Sequence, residues 1–406
     1  MKFFHISDLH IGKQLYGYNL AEDQIYVLRL VVDALEREKP DALLIAGDIY
    51  DKPVPSSEAV QVFDRFLTDV SQRCPKMPVM IIAGNHDAAR RIDYAGGILQ
   101  HHNIHIVGTP PQKPEEHIRK VTLTDDCGEV DIYLLPFFKP GNLRGLFSEE
   151  ENESYVNQAK EGGISEYEIY FEKILEREAI DCTKRNVLLT HQFFVPGKGR
   201  EMERTESEVI MVGTLDHISA HLLAPFDYVA MGHLHRPQKC GKEAYRYCGT
   251  PMPYSLSEEK DEKAITVVEL GEPGKDATIT EIPLVPLRRV RKLKGTKEEL
   301  IAFAVAEGQR QGEAAAVDDY VSLIVTDDKP GRFVREELGI YYKHILELRF
   351  DHRFMQDLVG NAIQPGLSDN FFEMFREFYE MRNGVEMSEE EMQILAGLLE
   401  DTEEEQ

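Results

Sequence analysis

Eight residues of this chain carry side chains that can bind metal or move protons, and they stand at matching places in its hydrophobic pattern. They are Asp8, His10, Asp48, Asn85, His86, His191, His233 and His235, each within a few residues of the carboxyl end of a short apolar run. The stretch Val79–Asp87, Val-Met-Ile-Ile-Ala-Gly-Asn-His-Asp, shows the pattern most fully. A buried strand runs into two small residues and then into an amide, an imidazole and a carboxylate, with Gly84 letting the backbone turn tightly enough to aim all three. Open α/β sheets hold ligands at the carboxyl edge of their strands, so the fold should gather these residues in one place. The donor atoms are carboxylate oxygen, amide oxygen and imidazole nitrogen, without thiolate. That set suits manganese, iron or magnesium better than a structural zinc. A single histidine after an apolar strand is commonly a packing residue, but repetition at strand end after strand end argues for chemistry. Two divalent ions would be only half neutralised by Asp8 and Asp48, and the surplus charge would attract a phosphate. Ions about 3.5–4 Å apart activate water and stabilise charge at phosphorus, so the expected reaction is phosphoester hydrolysis.

The elements needed to position these residues are legible in the apolar spacing. Lys2–Ser7 reads as a strand, followed by a helix over about 20–39 with Ile25, Leu28, Val32 and Leu35 on one face. Ala42–Ala46 is a second strand, Ser56 a helix N-cap, and Val79 begins a third strand. Strand–helix alternation of this kind predicts a largely parallel sheet. Shorter strands follow at 104–107 and 130–135, and the polar, acidic stretch 139–163 reads as a surface insertion. Tyr167, Tyr170, Phe171, Ile174 and Leu175 mark a helix, and strands at 186–190 and 227–231 deliver His191 and the pair His233 and His235. Segments 245–248 and 264–270 look like closing strands of the same domain. Composition shifts near Pro283–Pro286, after which a small α+β domain opens with the basic strip 287–294 and the capping pair Thr296 and Glu299. The expected division is 1–285, 286–366 and 367–406.

Composition narrows the function classes. The formal charge of −26 argues against a protein that coats nucleic acid by bulk electrostatics, although nine acids lie in the tail 386–406, far along the sequence from the reactive residues. The first residues lack the apolar core of a signal peptide, and no apolar run approaches the ~20 residues that span a bilayer, so a cytoplasmic chain without membrane association is expected. Five scattered cysteines form no C-x-x-C pair and indicate neither a zinc knuckle nor a disulfide framework.

Taken together, Asp8-x-His10, Gly47-Asp48-x-x-Asp51, Gly84-Asn85-His86-Asp87, His191 and Gly232-His233-x-His235 resemble the five motifs of calcineurin-like metallophosphoesterases. Longer stretches are similar to the SbcD family of nuclease subunits: 10–18, 47–53, 226–238 and 249–255. The resemblance implies a four-layer α/β metallophosphoesterase domain with a small α+β capping domain and a C-terminal helical tail. It implies one ion on Asp8, His10, Asp48 and His235, and a second on Asp48, Asn85, His191 and His233. His86 would be catalytic, assisting the leaving oxygen, while Asp51, Asp87 and Arg90 would support the site or touch phosphate. Asp87 would orient His86. The implied cofactor is two Mn²⁺ per chain, with Mg²⁺ or iron as alternatives. The implied activity is exonuclease on duplex DNA ends and endonuclease on single-stranded or hairpin DNA. The implied partner is an SbcC-type SMC-like ATPase, with two copies of this chain as a homodimer within a heterotetramer.

Weaker features carry further expectations. Arg288, Arg289 and Arg291 could contact phosphates or could simply be solvated charge on a strand. Arg91 and Tyr16 stand near the reactive loops and could touch DNA, Tyr16 by stacking. Phe371, Phe372, Phe375, Phe378 and Tyr379 form an aromatic helix face suited to docking on a partner's helices. Two rival readings keep the fold: a dimetal phosphodiesterase acting on small nucleotides or phosphoproteins, and a scaffold that has lost its metals. All eight positions retain competent residue types, which disfavours the scaffold.

Overall fold

The computed structural model describes residues 1–94, 96–197, 202–208, 217–310, 317–327, 333–351, 375–376, 379, 387–388 and 391–392. Contacts divide the chain into two compact units, Met1–Val290 and Arg291–Gln406; the expectation placed the first boundary at 285.

The larger unit is built on two six-stranded sheets. In the first, Lys2–Ile6, Ala42–Ala46, Val79–Ile82 and Ile104–Val107 run parallel, and Ala264–Glu269 and Thr278–Pro283 complete it antiparallel beyond Lys2–Ile6. In the second, Gly128–Leu135, Arg185–Thr190, Tyr228–Met231 and Lys242–Tyr247 run parallel between the antiparallel edges Arg119–Asp125 and Gln238–Cys240. The strand–helix alternation anticipates the parallel strands. The antiparallel edges arise from short hairpins and a returning segment that the alternation does not encode.

The sheets pack face to face through residues alternating along each strand. Ala42, Leu44, Ala46, Met80 and Ile82 meet Ile132, Leu134, Val187, Leu189 and Ala230. Leu43, Ile45 and Ile81 are equally buried and belong to the opposite face. The inner face of the first sheet is taken by the second sheet, so the crossover helices Ala21–Glu38 and Ser57–Arg73 cover its outer face. Ser56 caps the second of these helices by accepting from the Ala59 amide at 3.1 Å. On the far side, Tyr170, Phe171 and Ile174 of helix Glu166–Arg177 pack on Tyr133, Leu135, Leu188, Val229 and Met231. The order helix, sheet, sheet, helix is the expected four-layer fold. Its parallel strands all end at one edge, which is where the reactive residues stand.

The stretch 139–163 is more ordered than a surface insertion. Leu143 and Leu146 are buried in the second core, and helix Glu149–Gly162 starts from a reciprocal cap between Ser148 and Glu151. Its polar composition reflects one buried residue, Ala159, on an otherwise solvated helix.

In the smaller unit, strands Val290–Gly295, Val317–Val325 and Tyr342–Phe350 form one sheet, its last two strands parallel. Leu300, Ala304, Val321, Leu323, Leu338 and Ile345 lie in its core. The Thr296–Glu299 cap forms, with the Thr296 amide 2.8 Å from the Glu299 carboxylate. Of the aromatic docking residues, Phe371, Phe372 and Phe378 lie outside the described residues, while Phe375 and Tyr379 are helical. The Tyr379 hydroxyl donates to Glu391, whose carboxylate also accepts from the Ser388 amide at 2.8 Å. No helix among the described residues is long and apolar enough to cross a membrane.

Candidate metal centre

Five strand ends bring the reactive side chains together. Asp8 follows Lys2–Ile6, Asp48 follows Ala42–Ala46, Asn85 follows Val79–Ile82, His191 follows Arg185–Thr190, and His233 follows Tyr228–Met231. Backbone hydrogen bonds continue past the strands and lace the first two loops: Asp8 N donates to Gly47 O at 3.0 Å and His10 N to Asp48 O at 2.9 Å. The turns are sharp enough to force left-handed backbone on residues with side chains. Asp8, His10, Asp48 and His233 have φ of 51, 42, 50 and 103°. Such conformations are costly for L-residues and cluster at functional sites.

Packing at the strand ends is close. Gly84 has no positive φ; what requires glycine there is space, since a Cβ would fall 2.7 Å from the Asp48 carboxyl carbon. At Gly232 a Cβ would lie 2.6 Å from His191 Nδ1.

Three groups of donor atoms, each within 4.8 Å of one another, overlap at the centre: Asp8, His10 and His235; Asp8, Asp48 and His191; and His10, Asp48 and His86. His10 Nε2 lies 3.6 Å from Asp48 Oδ2 and 3.0 Å from His235 Nε2. On the other side His191 Nε2 is 3.3 Å from Asp48 Oδ2. Asn85 Oδ1 is 3.0 Å from both His191 Nε2 and His233 Nδ1. Asp48 therefore lies between His10, which stands beside His235, and His191, which stands beside Asn85 and with it His233, while Asp8 is near both His10 and His191.

The charge balance of the site fits cations. Asp8 and Asp48 are 0 % and 2 % exposed, and among the described residues no lysine or arginine pairs with either. Buried carboxylates need opposite charge close by. Burial pushes Asp8 up to about 7 despite His191 beside it. Burial acts the same way on Asp48, but the imidazoles of His191, His10 and His86 together outweigh it and hold Asp48 well below the carboxylate range. Burial would lower His191, yet Asp48 carries it up to about 9. Burial also depresses His233 to about 3 and His10 and His235 well below the usual imidazole range, leaving neutral rings with lone pairs to donate. His10 Nδ1 is buried without a hydrogen-bond partner. His191 Nδ1–H donates to Ala46 O at 2.7 Å, which aims its Nε2 into the cluster. Imidazoles converging on two buried carboxylates that lack a lysine or arginine partner are a donor set that accepts divalent ions.

His86 lies within reach of the same atoms, its ring 4.8 Å from that of His10. Its hydrogen bonds set it apart. The His86 amide donates to Asp48 Oδ1 at 2.8 Å, and Nδ1–H donates to the Asp51 carbonyl at 2.9 Å, which leaves Nε2 as the nitrogen not used in holding the ring. The hydrogen bonds of the Asp87 carboxylate go to backbone instead of to that ring. It accepts from Gly84 N at 2.9 Å and from Ile49 N and Tyr50 N at 3.0 Å, clasping the second and third strand-end loops together. Holding His86 falls to Asp51, whose carboxylate pairs with Lys13 at 2.9 Å.

The residues expected near DNA are scattered. Arg90 and Arg91 are exposed on the short helix Ala89–Ile92, and Tyr16 is exposed at the tip of the hairpin joining Gln14–Leu15 to Tyr18–Asn19. Arg288 is engaged by Glu22 at 2.6 Å and Asp23 at 2.9 Å, and Arg291 by Asp319 at 3.0 Å and Glu307 at 3.3 Å. Arg289 also has a partner, and Arg288 and Arg291 are matched by the chain's own acids. Sequence reasoning missed Ser207, Glu208, Glu258 and Lys263, which surround His235. None of them has a spacing that links it to a strand end.

Comparison with known proteins follows the same lines. Over 303 residues the chain is 29% identical to the SbcD subunit of nuclease SbcCD from Staphylococcus epidermidis, covering 74% of this chain and 74% of that one. It is also 29% identical over 303 residues to the SbcD subunit of nuclease SbcCD from Staphylococcus saprophyticus, covering 74% and 73%. Among solved structures, a dimetal phosphatase from Danio rerio aligns at 13% identity over 70% of this chain and 96% of its own, with a TM-score of 0.39. Residues 1–237, which carry every candidate ligand, match the calcineurin-like phosphoesterase description. That match spans more than half of the sequence, and the chain belongs to the calcineurin-like phosphoesterase family.

Proposed function

We propose that this chain is the DNA-cleaving subunit of an SbcCD-type complex. It would hydrolyse phosphodiester bonds with two Mn²⁺ ions, as an exonuclease at duplex ends and an endonuclease on single-stranded and hairpin DNA. The supporting observation is the placement of Asp48 between His10 and His191 in one buried cluster of donors. One ion would take Asp8, His10, Asp48 and His235, the other Asp48, Asn85, His191 and His233. When bound, the ions supply concentrated positive charge that binds the phosphate and lowers the pKa of water.

The chain's own groups do the rest. The Asp51 carbonyl holds Nδ1 of His86, so Nε2 is directed to protonate the leaving oxygen. Asp87 keeps the loop bearing Asp48 in register with the loop bearing Asn85 and His86. Arg90 and Arg91, exposed just after that loop, are placed to meet a phosphate backbone better than Arg288 or Arg291, whose carboxylate partners occupy them.

The substrate and setting rest on the similarity to the staphylococcal nuclease subunits. By that likeness the partner is an SbcC-type ATPase of the SMC-like class, bound through the tail that carries Phe371, Phe372, Phe375, Phe378 and Tyr379. Two copies of this chain join the assembly, which works in the cytoplasm in DNA repair, recombination and replication. The test is to incubate the purified chain and Mn²⁺, with and without the ATPase, on a labelled hairpin duplex and on small phosphodiesters. Cleavage of the hairpin is expected. Good turnover of the small esters with no DNA cleavage in either setting would replace the nuclease with a small-substrate phosphodiesterase.

A further inference from the structure

His235 is held from every side by groups that no strand-end pattern predicts. Its amide donates to Glu208 Oε1 at 2.9 Å, and its carbonyl accepts from Lys263 Nζ at 2.9 Å and from Thr250 N at 3.1 Å. Its ring Nδ1 lies 2.6 Å from the Ser207 hydroxyl, and that hydroxyl lies 2.6 Å from Glu258 Oε1. Glu258 is fully buried and fixed in turn by Lys263 Nζ at 2.7 Å, Ser255 Oγ at 2.9 Å and Thr250 Oγ1 at 3.0 Å.

The direction of the chain of hydrogen bonds follows from what each atom can do. A carboxylate paired with a buried ammonium only accepts, so the single Ser207 proton goes to Glu258. With that proton committed, the hydroxyl oxygen can only accept, from the Thr205 hydroxyl 2.9 Å away and from Nδ1 of His235. The second of these bonds requires the proton on Nδ1, which leaves the Nε2 lone pair facing His10 and the cluster around Asp8. Glu258 and Lys263 thus reach the candidate metal centre through one hydroxyl.

We infer that Ser207 is a positioning residue which, backed by Glu258 and Lys263, sets the tautomer and orientation of His235 for the ion shared with Asp8 and His10. This rests on the dimetal reading above. It gives Ser207 a task in metal binding. Only one of the two proposed ligand sets contains His235, so the effect is confined to one ion.

The test is calorimetric titration of metal-free chain with MnCl₂, comparing wild type, Ser207→Ala and Ser207→Thr, with a thermal melt of each metal-free protein. In the alanine variant Glu258 Oε1 keeps the Ser255 hydroxyl, so the chain should still fold, with its melt lowered by no more than a few degrees. In Ser207→Ala one of two sites should weaken about 10–100-fold while the other is unchanged, and Ser207→Thr, which keeps the hydroxyl, should restore most of the loss. Identical isotherms for wild type and Ser207→Ala, or equal weakening of both sites, would overturn the inference while leaving the dimetal reading in place. A wild-type chain that takes up no Mn²⁺ would overturn both.

Discussion

At the residue scale, the site separates side chains that face one another across 4.8 Å or less into different tasks by their hydrogen bonds. His86 shares the neighbourhood of His10 and Asp48, yet its Nδ1–H is committed to the Asp51 carbonyl. Changing His86 to Gln should keep Mn²⁺ content and DNA affinity while lowering the cleavage rate constant by roughly 10²–10⁴-fold. Quench-flow cleavage beside metal analysis checks this, and loss of metal in the variant would make His86 a ligand. His5 provides a separate check on burial. Its ring is fully buried with Nδ1 2.9 Å from the Tyr228 hydroxyl, and burial, with Arg246 nearby, lowers it to about 3. The unfolded chain binds this proton below about 6.5 and the folded chain does not until about 3, so its contribution is complete above 6.5 and declines as pH falls. Between pH 6.5 and 5 the loss should be about 2 kcal/mol. Urea melts in EDTA should show a shallower acid decline for His5→Gln than for wild type. Equal slopes would remove His5 from that window.

At the scale of elements, the strand ends were readable because a parallel sheet imposes one syntax on all of them. An apolar run, a small residue and a ligand recur at Asp48, Asn85 and His233. The supports were not readable, because Ser207, Glu258 and Lys263 meet His235 only through folding and share no period with it. Asp87 is an intermediate case. Its position in the motif was evident, but its clasp on Ile49 and Tyr50 depends on how two loops approach. The glycines were legible as small residues, and for Gly84 the reason is contact with Asp48 instead of a special turn. Gly84→Ala should therefore act on the metal centre. The added methyl must displace the Asp48 carboxylate, so Mn²⁺ affinity should drop at least about tenfold and stability by about 1–3 kcal/mol. Titration calorimetry and a thermal melt measure the two, and unchanged affinity would show that the loop relaxes away from Asp48.

For the molecule as a whole, −26 of net charge and a nuclease reading are compatible because the acids are spent locally. Nine belong to the tail 386–406, and others neutralise Arg288 and Arg291. Arg288 and Arg291 of the basic strip that the sequence offers as a DNA surface are thus occupied by Asp23 and Asp319, a pairing invisible without the fold. The aromatic face at 371–379 lies mostly outside the described residues, so docking to an ATPase partner stands on the resemblance. The proposed centre depends on one carboxylate, that of Asp48. The most direct measurement is the Mn²⁺ stoichiometry of metal-free chain reloaded by dialysis, wild type against Asp48→Ala, with hairpin cleavage followed on the same samples. Two ions per wild-type chain are expected, with no stable pair and no cleavage in the variant. The same metal content and the same cleavage in both would contradict a dimetal site built around Asp48.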